Sequence, residues 1–173
     1  SNFTLALSQV FKLPGMNYPT DVLYDNNGTV NVEDDCIWVT DPNASKIIRI
    51  DRAFNVLQTI TSCYDGPGTY PLNAPRKIMV YNYLDGEKSL AYINNNTFYE
   101  LEKEVVPPYS SSVYLWAKQT FDFQTNLSSI GLEEPECWLI LDEFQQSIHK
   151  INRWGEYVAS FKSNSGSLSI FTN

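Results

Sequence analysis

One histidine, three cysteines, two runs of carboxylates and five asparagine sequons are the residues whose types and spacing could do chemistry in this chain. His149 stands in Ser147-Ile148-His149-Lys150-Ile151, and without a second histidine a multi-histidine metal site cannot be assembled. An imidazole in such an alternation reads as a packed or solvent-facing strand residue. Glu33, Asp34 and Asp35 form one acidic run, and Glu133, Glu134 and Glu136 form another at a matched place. Each reads either as a solvated turn or as a rim that would attract a cation such as calcium, but neither has the alternating oxygen-ligand spacing of a calcium loop. Asp41 and Asp142 precede turn residues, where a carboxylate accepts backbone N–H groups and shapes the turn. No G-x-S-x-G elbow, phosphate-binding loop or paired-cysteine metal motif is present. No catalytic residue, metal site or cofactor is assigned, and the chain is read as non-enzymatic.

The sequons are Asn2, Asn27, Asn43, Asn95 and Asn126. Asn27, Asn43 and Asn95 fall on expected turns, where asparagine is also favoured for its backbone habits. Their number and placement point to a secreted, extracellular protein whose partners include N-glycans. Twelve basic against twenty acidic residues give a net charge of −8, which repels a phosphate backbone and excludes nucleic acid as an expected partner. No apolar run approaches the roughly 18 residues of a membrane helix, and the opening Ser-Asn-Phe-Thr-Leu has no basic leader. The chain therefore reads as soluble and as already processed or excised, with no membrane span.

These residues are positioned by a repeat. The stretch Cys36-Ile37-Trp38-Val39-Thr40-Asp41 returns 101 residues later as Cys137-Trp138-Leu139-Ile140-Leu141-Asp142, and without a gap Ile47 matches Ile148, Ile50 matches Ile151 and Arg52 matches Arg153. Within the first copy, Val22–Tyr24, Ile37–Thr40, Lys46–Asp51 and Val56–Ile60 read as four short strands joined by turns at Asn26-Asn27-Gly28, Asp41-Pro42-Asn43-Ala44 and Arg52–Asn55. A looser middle copy has strands at Lys77–Tyr81, Leu90–Ile93, Phe98–Glu102 and Val113–Ala117, with turns at Asp85-Gly86 and Asn94–Asn96. Phe121–Thr125 is expected to open the third. The expectation is an all-β, β-propeller-like domain over 1–173, with three four-stranded antiparallel blades over about 12–62, 66–118 and 119–165 and extra strands at the termini.

Tyr18-Pro19-Thr20-Asp21-Val22-Leu23-Tyr24, the Gly-containing turn, the strand ending in Asp41 and the closing Ile48-Arg49-Ile50-Asp51 resemble an NHL-type repeat, and the stretch from Cys137 to Phe161 is similar over three strands. That resemblance implies a ring of about six blades, of which three copies supply half. Related propeller lactonases hold one divalent ion in the channel. Asp21, Asn82 and Asp142 would face such a channel, without forming a selectable set. With blades about sixty degrees apart, Cys36 and Cys137 lie too far apart to bridge, so Cys36, Cys63 and Cys137 are expected as buried free thiols, or as partners in an intermolecular bridge. A half ring leaves an apolar face at each end. Asn2–Gly15 reads as an outermost strand and Ser167–Asn173 as the inner strand of a further blade. The expected function is assembly with protein, either copies of itself or the rest of a larger propeller chain, with a filament as the extended form. A lactonase-like hydrolase or a ligand-binding propeller is the alternative.

Overall fold

The computed structural model describes residues 6, 9–106, 112–133 and 136–162. It is all-β, with three antiparallel units in chain order. The first sheet runs β1 (Asp21–Asp25), β2 (Cys36–Asp41), β3 (Lys46–Ile50) and β4 (Val56–Ile60), each paired with the next. The third repeats this order with β11 (Leu127–Glu133), β12 (Cys137–Asp142), β13 (Ser147–Asn152) and β14 (Tyr157–Lys162). Between them lies a sheet built from β7 (Lys77–Asn82), β8 (Lys88–Ile93), β9 (Thr97–Val106) and β10 (Ser112–Asp122). No helix of the described residues is long and apolar enough to cross a membrane.

Two expectations need correction here. The middle sheet has six strands rather than four, because β5 (Ser62–Asp65) and β6 (Gly68–Pro71) form a hairpin whose β5 joins β10 in parallel at Tyr64 and Trp116. Asp65-Gly66-Pro67-Gly68 makes the turn, with Gly66 at a φ of 55°. Phe121 does not open the third copy either. It continues β10 opposite Phe98, and the third sheet begins at Leu127. At the N-terminus, residues 9–16 are not strand, and the remainder of the expected terminal strands lies outside the described residues.

The strands follow from their side chains. Alternation places Cys36, Trp38 and Ile47 on one face of the first sheet, against Leu90, Tyr92, Leu101 and Leu115 of the second. The opposite face of the second sheet, with Ala91, Ile93 and Phe98, meets Trp138, Ile140 and Ile151 of the third. A sheet covered on both sides needs apolar residues at successive positions, which is why Ser89–Ile93 is buried throughout. In the third sheet β12 and β13 instead alternate. β1 lies beside β7 and β7 beside β11, so the first strands of the three units are neighbours.

The strand ends share one device. Asp41 accepts the N–H of Ala44 at 3.3 Å, Asn94 accepts those of Asn96 and Thr97 at 3.0 and 2.9 Å, and Asp142 accepts that of Gln145 at 2.9 Å. Each closes the turn after the second strand of its unit.

Candidate functional site

The densest polar chemistry lies in the seam between the first two sheets. Asp25, at the end of β1, is fully buried, and its two carboxylate oxygens accept from four groups. These are the backbone N–H of Asn27 at 2.8 Å, Asn82 Nδ2 at 3.3 Å, Trp38 Nε1 at 2.9 Å and the Lys103 ammonium at 2.5 Å. Lys103 also donates to Asn27 Oδ1 at 2.7 Å. Burial by itself would push the Asp25 carboxyl up, but the Lys103 charge and these hydrogen bonds outweigh it and hold the group below the usual carboxylate range. Burial draws the Lys103 ammonium down, against the pull of Asp25.

Beside this pair, Arg49 is fully buried in β3, with Nε donating to Gln58 Oε1 at 3.0 Å and both terminal nitrogens unpartnered among the described residues. It lines a cleft of about 300 Å³ with the first acidic run. That run is not a freely solvated rim. Asp34 and Asp35 are buried, Asp34 accepting from Thr29 Oγ1 at 2.9 Å and Asp35 from the Tyr24 hydroxyl. In the second run, Glu133 pairs with Lys150 at 3.0 Å and Glu136 with Arg153 at 3.4 Å, while Glu134 lies outside the described residues. Arg153 also reaches Asp85 at 2.5 Å and stacks over Tyr83, which ties the third sheet to the second. Among the described residues no three His, Cys, Asp or Glu side chains are arranged to hold a metal ion.

His149 is packed on the inner face of β13. Its Nε2 is 2.9 Å from Asp142 and 3.4 Å from Ser147 Oγ, its Nδ1 is 2.6 Å from the Tyr157 hydroxyl, and Phe123 stacks on the ring at 4.4 Å. Serine and carboxylate approach the same ring nitrogen, so the imidazole cannot relay a proton between them as a Ser-His-Asp triad does. Burial pushes the Asp142 carboxyl up, but His149, the Gln145 N–H and Thr125 hold it lower than usual.

The channel set does not converge. Asp21 accepts the N–H of Ile78 at 2.9 Å, Asn82 donates to Asp25, and Asp142 belongs to the His149 cluster. Cys36 and Cys63 are buried free thiols, and Cys137 is half-buried. Burial, with the Asp25 charge, pushes the Cys36 thiol up to about 11.

Of the sequons, Asn43, Asn95 and Asn126 are exposed and Asn2 lies outside the described residues. Asn27 is only 1% exposed, its amide donating to Asp34 O at 2.6 Å and its carbonyl accepting from Lys103. A glycan on that nitrogen has no room in the folded chain, which corrects the expectation for this position.

The charged seam carried no signal in the sequence, because nothing local distinguishes Arg49 and Lys103 from strand cations that face water. The outward faces are equally informative. On the first sheet Val39, Ile48 and Ile50 are buried, whereas on the third Leu141, Ile148 and Phe161 align across β12, β13 and β14, with Leu141 43% and Ile148 41% exposed. Apolar residues are exposed on both outer faces, at the centre of the third sheet but on the first only at its edge strands, where Val22, Tyr24 and Val56 lie. Along the first sheet the incoming chain is held by Phe11 stacked on Phe54 at 3.8 Å, by Lys46 donating to Gly15 O, and by Asp41 accepting the N–H groups of Asn17 and Tyr18 at 2.6 and 3.1 Å.

No family model matches the chain. No curated protein matches it either. Among solved structures, the chain is similar to a protein of unknown function from Bacteroides caccae, at 14% identity and a TM-score of 0.42, over 73% of this chain and 42% of that one.

Proposed function

We propose that this chain is a non-enzymatic extracellular interaction module of propeller-like build, and that it assembles through the outer face of its third sheet with a second copy of itself. The observation that carries the reading is the row Leu141, Ile148 and Phe161, partly exposed across the centre of the third sheet's outer face, whereas Val39, Ile48 and Ile50 at the centre of the first sheet's outer face are buried. The three sheets already stack face to face through apolar residues, and the third sheet stops that series with a surface of the same composition. A head-to-tail filament needs a second uncovered face, and on the first sheet the exposed apolar residues Val22, Tyr24 and Val56 lie on the edge strands, while Val39, Ile48 and Ile50 at its centre are buried. The third sheet's face is uncovered at its centre, so we take it to meet its own copy about a two-fold axis, which gives a closed dimer.

Sedimentation of the full chain tests this. The native protein is expected to be dimeric, and Ile148→Lys, a change at a half-exposed position, is expected to be monomeric with unchanged thermal stability. A native chain that stays monomeric at all concentrations, or a dimer that survives Ile148→Lys, would overturn the reading.

A further inference from the structure

The hairpin β5–β6 has no counterpart in the first or third sheet, and it forms one wall of a cavity of about 550 Å³. The opposite wall is the face of β8, β9 and β10 that carries Tyr92, Tyr99 and Thr120. Nothing in the repeat requires this space. The chain leaving the hairpin is held in an unusual conformation, since Ala74 has a φ of 46°, in the left-handed region that a Cβ disfavours.

That strain fixes Asn73 at the cavity. Its backbone N–H donates to the Tyr92 hydroxyl at 3.2 Å, its Nδ2 donates to the Tyr99 hydroxyl at 2.8 Å, and its carbonyl accepts from Asn94 Nδ2 at 3.3 Å. Both tyrosine oxygens act as acceptors in these bonds, so each keeps its own O–H to donate. Asn73 Oδ1 has no partner among the described residues and is left to accept. The two rings stack on each other at 4.6 Å; Tyr92 and Leu72 are buried behind the wall, and its accessible apolar part comes from Tyr99, Tyr70 and Pro71.

We propose that this cavity binds a neutral saccharide ring. A pyranose presents an apolar C–H face and a rim of hydroxyls that both donate and accept, which matches tyrosine and proline surface beside fixed tyrosine O–H donors and a free amide oxygen. Among the described residues the cavity is lined by Asp65 and Glu100 and by no lysine, arginine or histidine, so an anionic ligand would be repelled. The site lies on the face of the second sheet turned toward the first, apart from the outer face of the third, and does not depend on dimer formation.

The experiment is saturation-transfer NMR on the full chain with the methyl glycosides of glucose, galactose, mannose and N-acetylglucosamine, each at millimolar concentration. At least one is expected to receive saturation. Ala117→Trp and Thr120→Phe place bulk in the cavity from exposed positions of β10 and are each expected to reduce the signal to that of a protein-free control, while Asn73→Ala weakens it. No transfer to any of the four, or transfer that persists in whichever plugged variant keeps the native circular dichroism, would overturn the proposal.

Discussion

The buried Asp25 and Lys103 pair shows how a single contact ties two sheets together. Lys103 lies on the long strand β9 of the second sheet and Asp25 at the end of β1 in the first, both shielded from water. Removing one partner leaves an uncompensated buried charge, so Lys103→Met is expected to lower stability by about 3–5 kcal/mol in urea unfolding. The pH dependence has a definite sign. Folded Asp25 titrates below its unfolded value of about 3.9, so between the two values the unfolded chain binds more protons. The contribution of Asp25 is complete above the unfolded value and is lost as pH falls through the folded one. Asp25→Asn should therefore flatten the acid limb of the stability curve relative to the native protein, and identical acid limbs would exclude this account. Gly28 makes a steric point at the same scale. Its φ is 70°, and an added Cβ would stand 2.9 Å from the Asn82 Cβ, so Gly28→Ala combines left-handed strain with a clash against the neighbouring sheet. A loss of about 1–3 kcal/mol is expected, read as a drop in thermal midpoint.

At the scale of elements, the turn after each second strand is where local sequence and fold agree best. Asp41, Asn94 and Asp142 do the same work with a side-chain oxygen, and Asn94→Ala would leave two backbone N–H groups without their acceptor. A cost of about 1–2 kcal/mol with an unchanged denaturant slope is expected. A changed slope would instead indicate a rearranged sheet. This regularity explains what could be read in advance. The sequence places Val56–Ile60 to the residue and β2, β3 and β7 within one, because apolar runs and Asp or Asn turn chemistry coincide there. The hairpin β5–β6 escaped although Asp65-Gly66-Pro67-Gly68 is a clear turn, since it interrupts the repeat and its strands are only four residues long. The charged seam and the tyrosine cavity were not legible at all. Both arise where strands distant in sequence are brought face to face, and neither Asn73 nor Arg49 has a local pattern that announces its partners.

Across the whole molecule, the two ends of the sheets differ in kind, and this bears on where sugar can be attached. Asn43 sits in the turn between β2 and β3, Asn95 in the equivalent turn between β8 and β9, and Asn126 just ahead of β11. The last two are joined through backbone bonds, since Asn95 O accepts from the Leu127 N–H at 2.8 Å and Asn126 O from the Glu143 N–H at 2.9 Å. All three are exposed and lie at the same end of the stack, whereas Asn27 is at the opposite end, beneath Lys103. Glycan addition precedes folding, so a chain modified at Asn27 would have to break the Asp34 and Lys103 contacts to fold and would be lost from the secreted pool. Site-resolved mass spectrometry of protein secreted from a glycosylating host is therefore expected to find glycans at Asn43, Asn95 and Asn126 and a bare Asn27. Because the outer face of the third sheet is a different surface from this end, enzymatic removal of the glycans should leave the mass of the proposed dimer reduced only by the sugar. Glycan at Asn27 in folded protein, or dissociation of the dimer on deglycosylation, would show that the two ends are not divided in this way.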